Sequence, residues 1–241
     1  MLISGLNKTT LLDYPGRVAA TVFTRGCNFR CPFCHNAGLV LSPMTQETYS
    51  ESSVLSFLNK RKTILSGVCI TGGEPTIQQD LPDFIEKIRQ LGLCVKLDTN
   101  GSHPALLRDL IEKKLIDYVA VDIKNSSDRY EETIGCHMTD REAVCETVEL
   151  LKESSVEYEF RTTVVRELHT MENLQKICEW IAGSPRYFLQ QFEDSGELIG
   201  TRMNKEYTFH GYTAQEMKAM AEQLNENSPM KGNVYLRGVE G

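Results

Sequence analysis

Six short apolar runs, each separated from the next by a stretch that carries helical or turn signals, limit this chain to few architectures. Val18–Phe23 (VAATVF), Gly67–Ile70 (GVCI), Leu93–Leu97 (LCVKL), Tyr118–Ile123 (YVAVDI), Tyr158–Val165 (YEFRTTVV) and Tyr187–Gln190 (YFLQ) have the length of buried strands. Between them, Asp80–Leu91 puts Phe84, Ile85, Ile88 and Leu91 on one face, with Pro82 in the first turn and Gly92 as a stop. Asp140–Leu151 spaces Val144, Val148 and Leu151 helically, and Met171–Ile181 does the same with Leu174, Ile177 and Ile181. Thr213 and Glu216 fit a capping box opening a helix with Met217, Met220 and Leu224. Strand and helix in alternation predict parallel strands joined by right-handed crossovers, as an open sheet or a full or partial barrel. A chain of 241 residues, 41% of them hydrophobic, supplies one sizeable core, and no linker divides it.

In such folds the reactive edge lies at the C-terminal ends of the strands. Unusual polar residues collect there. The first strand is followed by a cysteine-rich stretch, the second by Thr71-Gly-Gly-Glu-Pro75, the third by Asp98-Thr-Asn-Gly101. Asp122 and Lys124 end the fourth, and Arg161 lies within the fifth, where a charge in an apolar run needs a partner. Five successive strands therefore point chemistry toward one mouth.

The cysteine-rich stretch is GCNFRCPFCHN, Gly26–Asn36. Of eight cysteines, Cys27, Cys31 and Cys34 form the one tight cluster, while Cys69, Cys94, Cys136, Cys145 and Cys178 are scattered and read as small apolar residues. Four readings compete. Cys31-Pro-Phe-Cys34-His35 matches the c-type haem pattern, but that requires export and leaves Cys27 idle. A thioredoxin-like pair also ignores Cys27. Structural zinc wants four closed ligands. A 4Fe-4S cluster held by three thiolates uses all three and leaves one iron open for chemistry. Phe33 reads either as a shield for such a group or as a core contact.

The net charge of -7 leaves no basic stripe for a phosphate backbone, so direct nucleic-acid binding is not expected. No stretch approaches the roughly 18 apolar residues of a membrane span, and Met1–Lys8 lacks the pattern of an export signal. The expectation is a soluble, cytoplasmic protein with reduced thiols.

C-x3-C-x2-C with an aromatic before the last cysteine, followed by Gly-Gly-Glu-Pro on the second strand, resembles the radical S-adenosylmethionine (SAM) enzymes. Leu11-Leu-Asp-Tyr-Pro-Gly16, Cys34-His-Asn36, Asp98-Thr-Asn-Gly101, Val121-Asp-Ile-Lys124 and Arg161 extend the likeness to the activating proteins of glycyl radical enzymes. Within these it is most similar to the activators of anaerobic ribonucleoside-triphosphate reductase, over roughly residues 3–192. The resemblance implies a partial (βα)6 barrel in a single domain over 1–241, with a core of about 16–192 and a helical or irregular extension of about 193–241.

It further implies that Cys27, Cys31 and Cys34 hold the cluster and that SAM chelates the open iron through its amino and carboxylate groups. Gly72 and Gly73 would let the backbone approach the methionyl amine, with Glu74 as an acceptor near that cation. Lys124 and Arg161 suit the methionyl carboxylate. Asp98 and Asp122 would face the cofactor, and either an alkali cation or plain hydrogen bonding accounts for them. Asn100 shapes the turn beside them, and Phe33 completes the cofactor-binding set. His35 and Asn36 order the cysteine loop, while His103, His137, His169 and His210 show no ligand spacing. One-electron cleavage of SAM would yield a radical that takes a hydrogen from a glycine of the partner reductase.

No inserted ferredoxin-like segment is present, so a separate flavodoxin or ferredoxin would supply the electron. Gln190-Gln-Phe192-Glu193 lacks the histidine that some activators carry near the adenosyl group. Two rivals stand: a radical enzyme acting on a small molecule, similar to the 7-carboxy-7-deazaguanine synthases, and an iron–sulfur or zinc protein that only carries electrons. The former usually has Cys-Asp where this chain has Cys-His-Asn.

Overall fold

The computed structural model describes residues 1–41, 48–135, 139–194, 196–204 and 208–239. Cys136 and His137 lie outside them. Among the described residues the strands form one eight-stranded sheet in the order β1 to β8. Six strands run where the apolar runs predict: β2 (Ala19–Thr24), β3 (Gly67–Gly72), β4 (Cys94–Thr99), β5 (Tyr118–Asp122), β6 (Glu157–Val164) and β7 (Tyr187–Gln191). Each pairs in parallel with the next. The expected α/β class, a parallel sheet of partial-barrel type, holds.

Between these strands run α2 (Glu51–Arg61), α3 (Leu81–Gln90), α4 (Pro104–Glu112), α6 (Thr139–Glu153) and α7 (Met171–Trp180); α1 (Ala37–Leu41) and α5 (Tyr130–Ile134) are short. The predicted helical stretches appear as α3, α6 and α7, and α9 (Ala214–Asn227) opens on the Thr213–Glu216 capping box. The crossover helices α2 and α4 had no prediction. On α2 only Val54 and Leu58 are buried, a stripe too thin to read as a period. In α3, Leu81, Phe84, Ile85 and Ile88 are all buried, each contributing about 1.5–3 kcal/mol.

Two strands lie beyond the predicted six. β1 (Ile3–Thr10) pairs antiparallel with β2 at one edge. Its sequence, ISGLNKTT, is mostly half-buried or exposed, as an edge strand can be. At the other edge β8 (Val234–Arg237) pairs in parallel with β7. The extension beyond 192 is therefore more than helical or irregular chain: it supplies α8 (Ile199–Met203), α9 and a strand of the same sheet. Four residues, VYLR, carry no periodicity of their own, and β7 templates them.

Parallel strands usually read as unbroken apolar runs. Here β4, β5 and β6 alternate, because successive side chains point to opposite faces. Val95, Leu97, Val119, Val121 and Phe160 pack in the main core with Leu107, Leu110, Val144 and Val148 of the helices. Lys96, Asp98, Asp122, Glu159 and Arg161 occupy the other face, where they pair with one another or, for Glu159, with Arg237 of β8, two strands away.

Candidate functional site

One cavity at the C-terminal ends of the strands collects every residue predicted for the site: the three clustered cysteines, Phe33, Gly72, Gly73, Glu74, Asp98, Asn100, Asp122, Lys124 and Arg161. The convergence inferred from loop order is a convergence in space.

The cysteine loop leaves β2 at Gly26, whose φ of +80° only glycine adopts readily. Its backbone is tied on several sides. Gly26 donates to the carbonyl of Leu39 (3.0 Å) and accepts from the amide of Glu74 (2.7 Å), while Arg30 donates to the carbonyl of Ile134 (2.8 Å). The Arg30 guanidinium closes over the carbonyls of Cys27 (2.6 Å) and Phe29 (2.8 Å), and Asn36 Nδ2 reaches the carbonyl of Gly72 (3.0 Å).

Cys27, Cys31 and Cys34 are free thiols. Burial pushes Cys27 up to about 12, with the Glu74 carboxylate adding to it and the amide of Phe29 offsetting part. Burial also raises Cys34, against the amide of Asn36. Thiols so placed stay protonated unless a cation stabilises the thiolate, which iron does. Among the described residues no three His, Cys, Asp or Glu side chains converge as a single ion requires. Three thiols line one cavity, a donor set that suits a 4Fe-4S cluster better than structural zinc, which wants four closed ligands.

The two glycines after β3 serve the backbone first. A Cβ on Gly73 would lie 1.8 Å from the carbonyl oxygen of Gly26, and one on Gly72, at φ +122°, 2.3 Å from the amide of Thr24. They bring the ends of β2 and β3 into direct contact, beyond any approach to a ligand. Glu74, expected as an acceptor for a ligand amine, is 1% exposed and already committed. Its carboxylate accepts from Thr76 N (3.0 Å), Thr76 Oγ1 (2.6 Å), Thr99 Oγ1 (2.7 Å) and Asn100 N (2.7 Å). It braces the β3 loop to the end of β4. Burial raises its pKa, and these same bonds oppose the rise. Asn100 Nδ2 donates to Asn28 Oδ1 (2.9 Å) and lies 3.9 Å from the Cys27 sulfur, so it links the turn to the cysteine loop.

The charged residues form one chain. Arg161 Nε donates to Asp122 (2.6 Å) and its Nη1 lies 3.1 Å from Asp98; Lys124 reaches Asp122 (3.1 Å) and Lys96 pairs with Asp98. Burial pushes Asp122 up, but Arg161 and Lys124 outweigh it and hold the carboxyl well below the usual range. Asp98 is lowered in the same way, burial being overcome by Arg161 and Lys96. Lys124 is raised: burial works against its charge, and Asp122 prevails. Of the cations only Lys124 and Arg161 line the cavity, beside Asp98, Asp122 and Glu74, so a carboxylate ligand would be met by the N–H donors of those two side chains and not by a net positive field. Asp98 and Asp122 already hold cations of the protein.

Phe33 is 4% exposed and meets the ring of His169 edge-on at 6.3 Å. His169 is fully buried, its Nδ1 accepting from the Val165 amide (3.0 Å) and its Nε2 donating to the Lys124 carbonyl (2.8 Å). It holds the backbone of Lys124. His35 packs on Phe192 (5.1 Å). His103 joins Thr76 (3.1 Å) and Ser102 (2.9 Å), and His210 pairs with Glu167 at the surface.

Lys96 and Ile199 were not foreseen. Lys96 carried the signal that marked Arg161, a charge inside an apolar strand. Ile199, which lines the cavity from α8, carried none.

The model of the Radical SAM superfamily matches residues 21–181. A Methanocaldococcus jannaschii protein, provisionally named a glycyl-radical enzyme activating enzyme, is 35% identical over 197 residues, covering 80% of each chain. The 7-carboxy-7-deazaguanine synthase of Thermococcus kodakarensis is 27% identical over 198 residues, covering 74% of this chain and 76% of its own length. Streptococcus suis SuiB shares the fold at a TM-score of 0.66 and 16% identity, covering 90% of this chain and 47% of SuiB. The chain thus spans under half the length of that structure.

Proposed function

This chain belongs to the radical SAM superfamily, and from that premise we propose that it activates a glycyl radical enzyme, with anaerobic ribonucleoside-triphosphate reductase as the partner. The observation that carries the reading is the enclosure of three thiols, the braced Gly72–Gly73 turn and the Arg161–Asp122–Lys124 chain by one cavity. Likeness to the M. jannaschii protein over four-fifths of both chains supports the activase type.

In this reading Cys27, Cys31 and Cys34 would hold a 4Fe-4S cluster with SAM bound beside it. The cluster, when bound, would supply the one-electron chemistry that cleaves the SAM sulfonium. Everything else falls to the protein. Lys124 and Arg161 bind the methionyl carboxylate, and Asp98 and Asp122 hold those cations in place. Gly72 and Gly73 present backbone to the methionyl amine, with Glu74 and Asn100 fixing that backbone rather than reaching the ligand. Phe33 shields the cavity from water. A separate flavodoxin or ferredoxin delivers the electron in the cytoplasm; among the described residues no helix is long and apolar enough to cross a membrane.

A small-molecule radical enzyme is the second reading, favoured by the match to the T. kodakarensis synthase. The two are separated by anaerobic loading with iron and sulfide, reduction with dithionite, and addition of SAM. Release of 5′-deoxyadenosine is expected, and its absence would sink both. Adding the anaerobic reductase should then produce a glycine-centred radical in the electron paramagnetic resonance spectrum. SAM cleavage without that radical moves the assignment to the small-molecule class.

A further inference from the structure

The segment after β7 returns across the cysteine loop, and its contacts are made by backbone as well as side chains. Ile199 N donates to the carbonyl of Cys34 (3.1 Å) and Gly200 N to the carbonyl of Pro32 (2.7 Å). Gly200 is buried and close-fitting: a Cβ there would meet Pro32 O at 2.9 Å, Phe209 Cε2 at 3.0 Å and Pro32 Cβ at 3.1 Å. Ile199 is 1% exposed and packs with Ala37, Val40 and the half-buried Cys27 and Cys34. Leu198 is fully buried, and Phe192, where the segment leaves the sheet, lies against the His35 ring. Glu193, Asp194 and Glu197, between these anchors, are exposed. The chain thus touches down on the loop at both of its ends.

We propose that Leu198–Gly200 is a clamp that holds the Cys31–Cys34 half of the cysteine loop in its ligating shape and covers it from solvent, with Ile199 as a positioning residue for the cluster. The inference rests on the cluster reading above and deepens it. The clamp lies outside residues 21–181, which the superfamily model matches. Two carbonyls of the loop are fixed by N–H donors from a segment more than 160 residues later, and tight packing at Gly200 leaves that register no slack. With the clamp displaced, the loop would retain Arg30 and Asn36 as ties but lose its outer cover.

Two substitutions test it. Gly200→Val forces the segment off Pro32; Ile199→Ala removes the covering side chain and keeps both backbone bonds. The iron-free full-length chain is pulsed with iodoacetamide, and alkylation is mapped by mass spectrometry. Cys31 and Cys34 should label about tenfold faster in Gly200→Val than in the natural chain, as expected for a local opening made easier. Cys69 and Cys178, both fully buried, should keep their rates. Unchanged labelling of Cys31 and Cys34 overturns the clamp.

If Cys69 and Cys178 also accelerate, the whole domain has loosened, and Ile199→Ala decides through the loaded protein. Its cluster should release iron to a chelator faster than the natural one. Its midpoint potential should rise, because water admitted near the cluster stabilises the more negative reduced form. A potential and release rate equal to those of the natural chain overturn the covering role. Should the natural chain take up no cluster at all, the cofactor reading fails, while the alkylation contrast in iron-free protein still supports or rejects the clamp.

Discussion

Phe160 and Arg161 are neighbours on β6 and live in opposite environments. Phe160 points into the helix-covered core with Leu97, Val121 and Val148, where removal from water stabilises it and no partner of a particular kind is required. Arg161 points into the other face and persists there because Asp98 and Asp122 meet its guanidinium. A buried charge is tolerated only when paired. One face of the sheet holds the fold, and the other sets the field of the site.

Arg161→Ala should break the contrast most. It leaves Asp98 and Asp122 buried with one cation fewer each, at a cost of about 3–5 kcal/mol in urea unfolding. SAM affinity, read by equilibrium dialysis, should fall with it. Phe160→Ala should cost a similar about 3–5 kcal/mol through the cavity it opens, yet leave SAM affinity of the folded protein unchanged. A drop in affinity there would show that the faces are not independent.

A pH series sharpens the comparison. Asp122 has a folded pKa below its usual 3.8, so its stabilising contribution is fully present above that value and is lost as pH falls through the folded one. The stability gap between the natural chain and Asp122→Asn should therefore be constant above about pH 5 and shrink below it. A gap that closes near neutral pH would count against the pairing. Phe160→Ala should show no such change. The smallest effect is expected at Thr213→Ala, which removes a helix cap in the covering layer: about 1 kcal/mol by thermal or urea unfolding, with the site untouched.

The six central strands and the three thiols were legible because their signals are local: apolar runs of four to eight residues, and a spacing within one loop. Arg161 was legible as a charge in such a run, and Lys96 carried the same mark. β8 was not, since four residues of VYLR acquire strand character only against β7. Nor was the task of Glu74. The Gly-Gly-Glu-Pro stretch is conspicuous in sequence, but whether its carboxylate faces a ligand or the amides of Thr76 and Asn100 depends on how β3 and β4 meet.

Written into the chain are the alternation that demands a parallel sheet, and the residue types that crowd the strand ends, since covalent neighbours share a loop however the rest folds. Which acid meets which cation came from folding alone. Asp122 and Arg161 are 39 residues apart, Glu159 and Arg237 are 78 apart, and α8 reaches the cysteines from the far end of the chain. Hydrogen bonds and contact ion pairs form only when their groups meet within a few ångströms, so only strand register and the closing of the sheet could choose those partners.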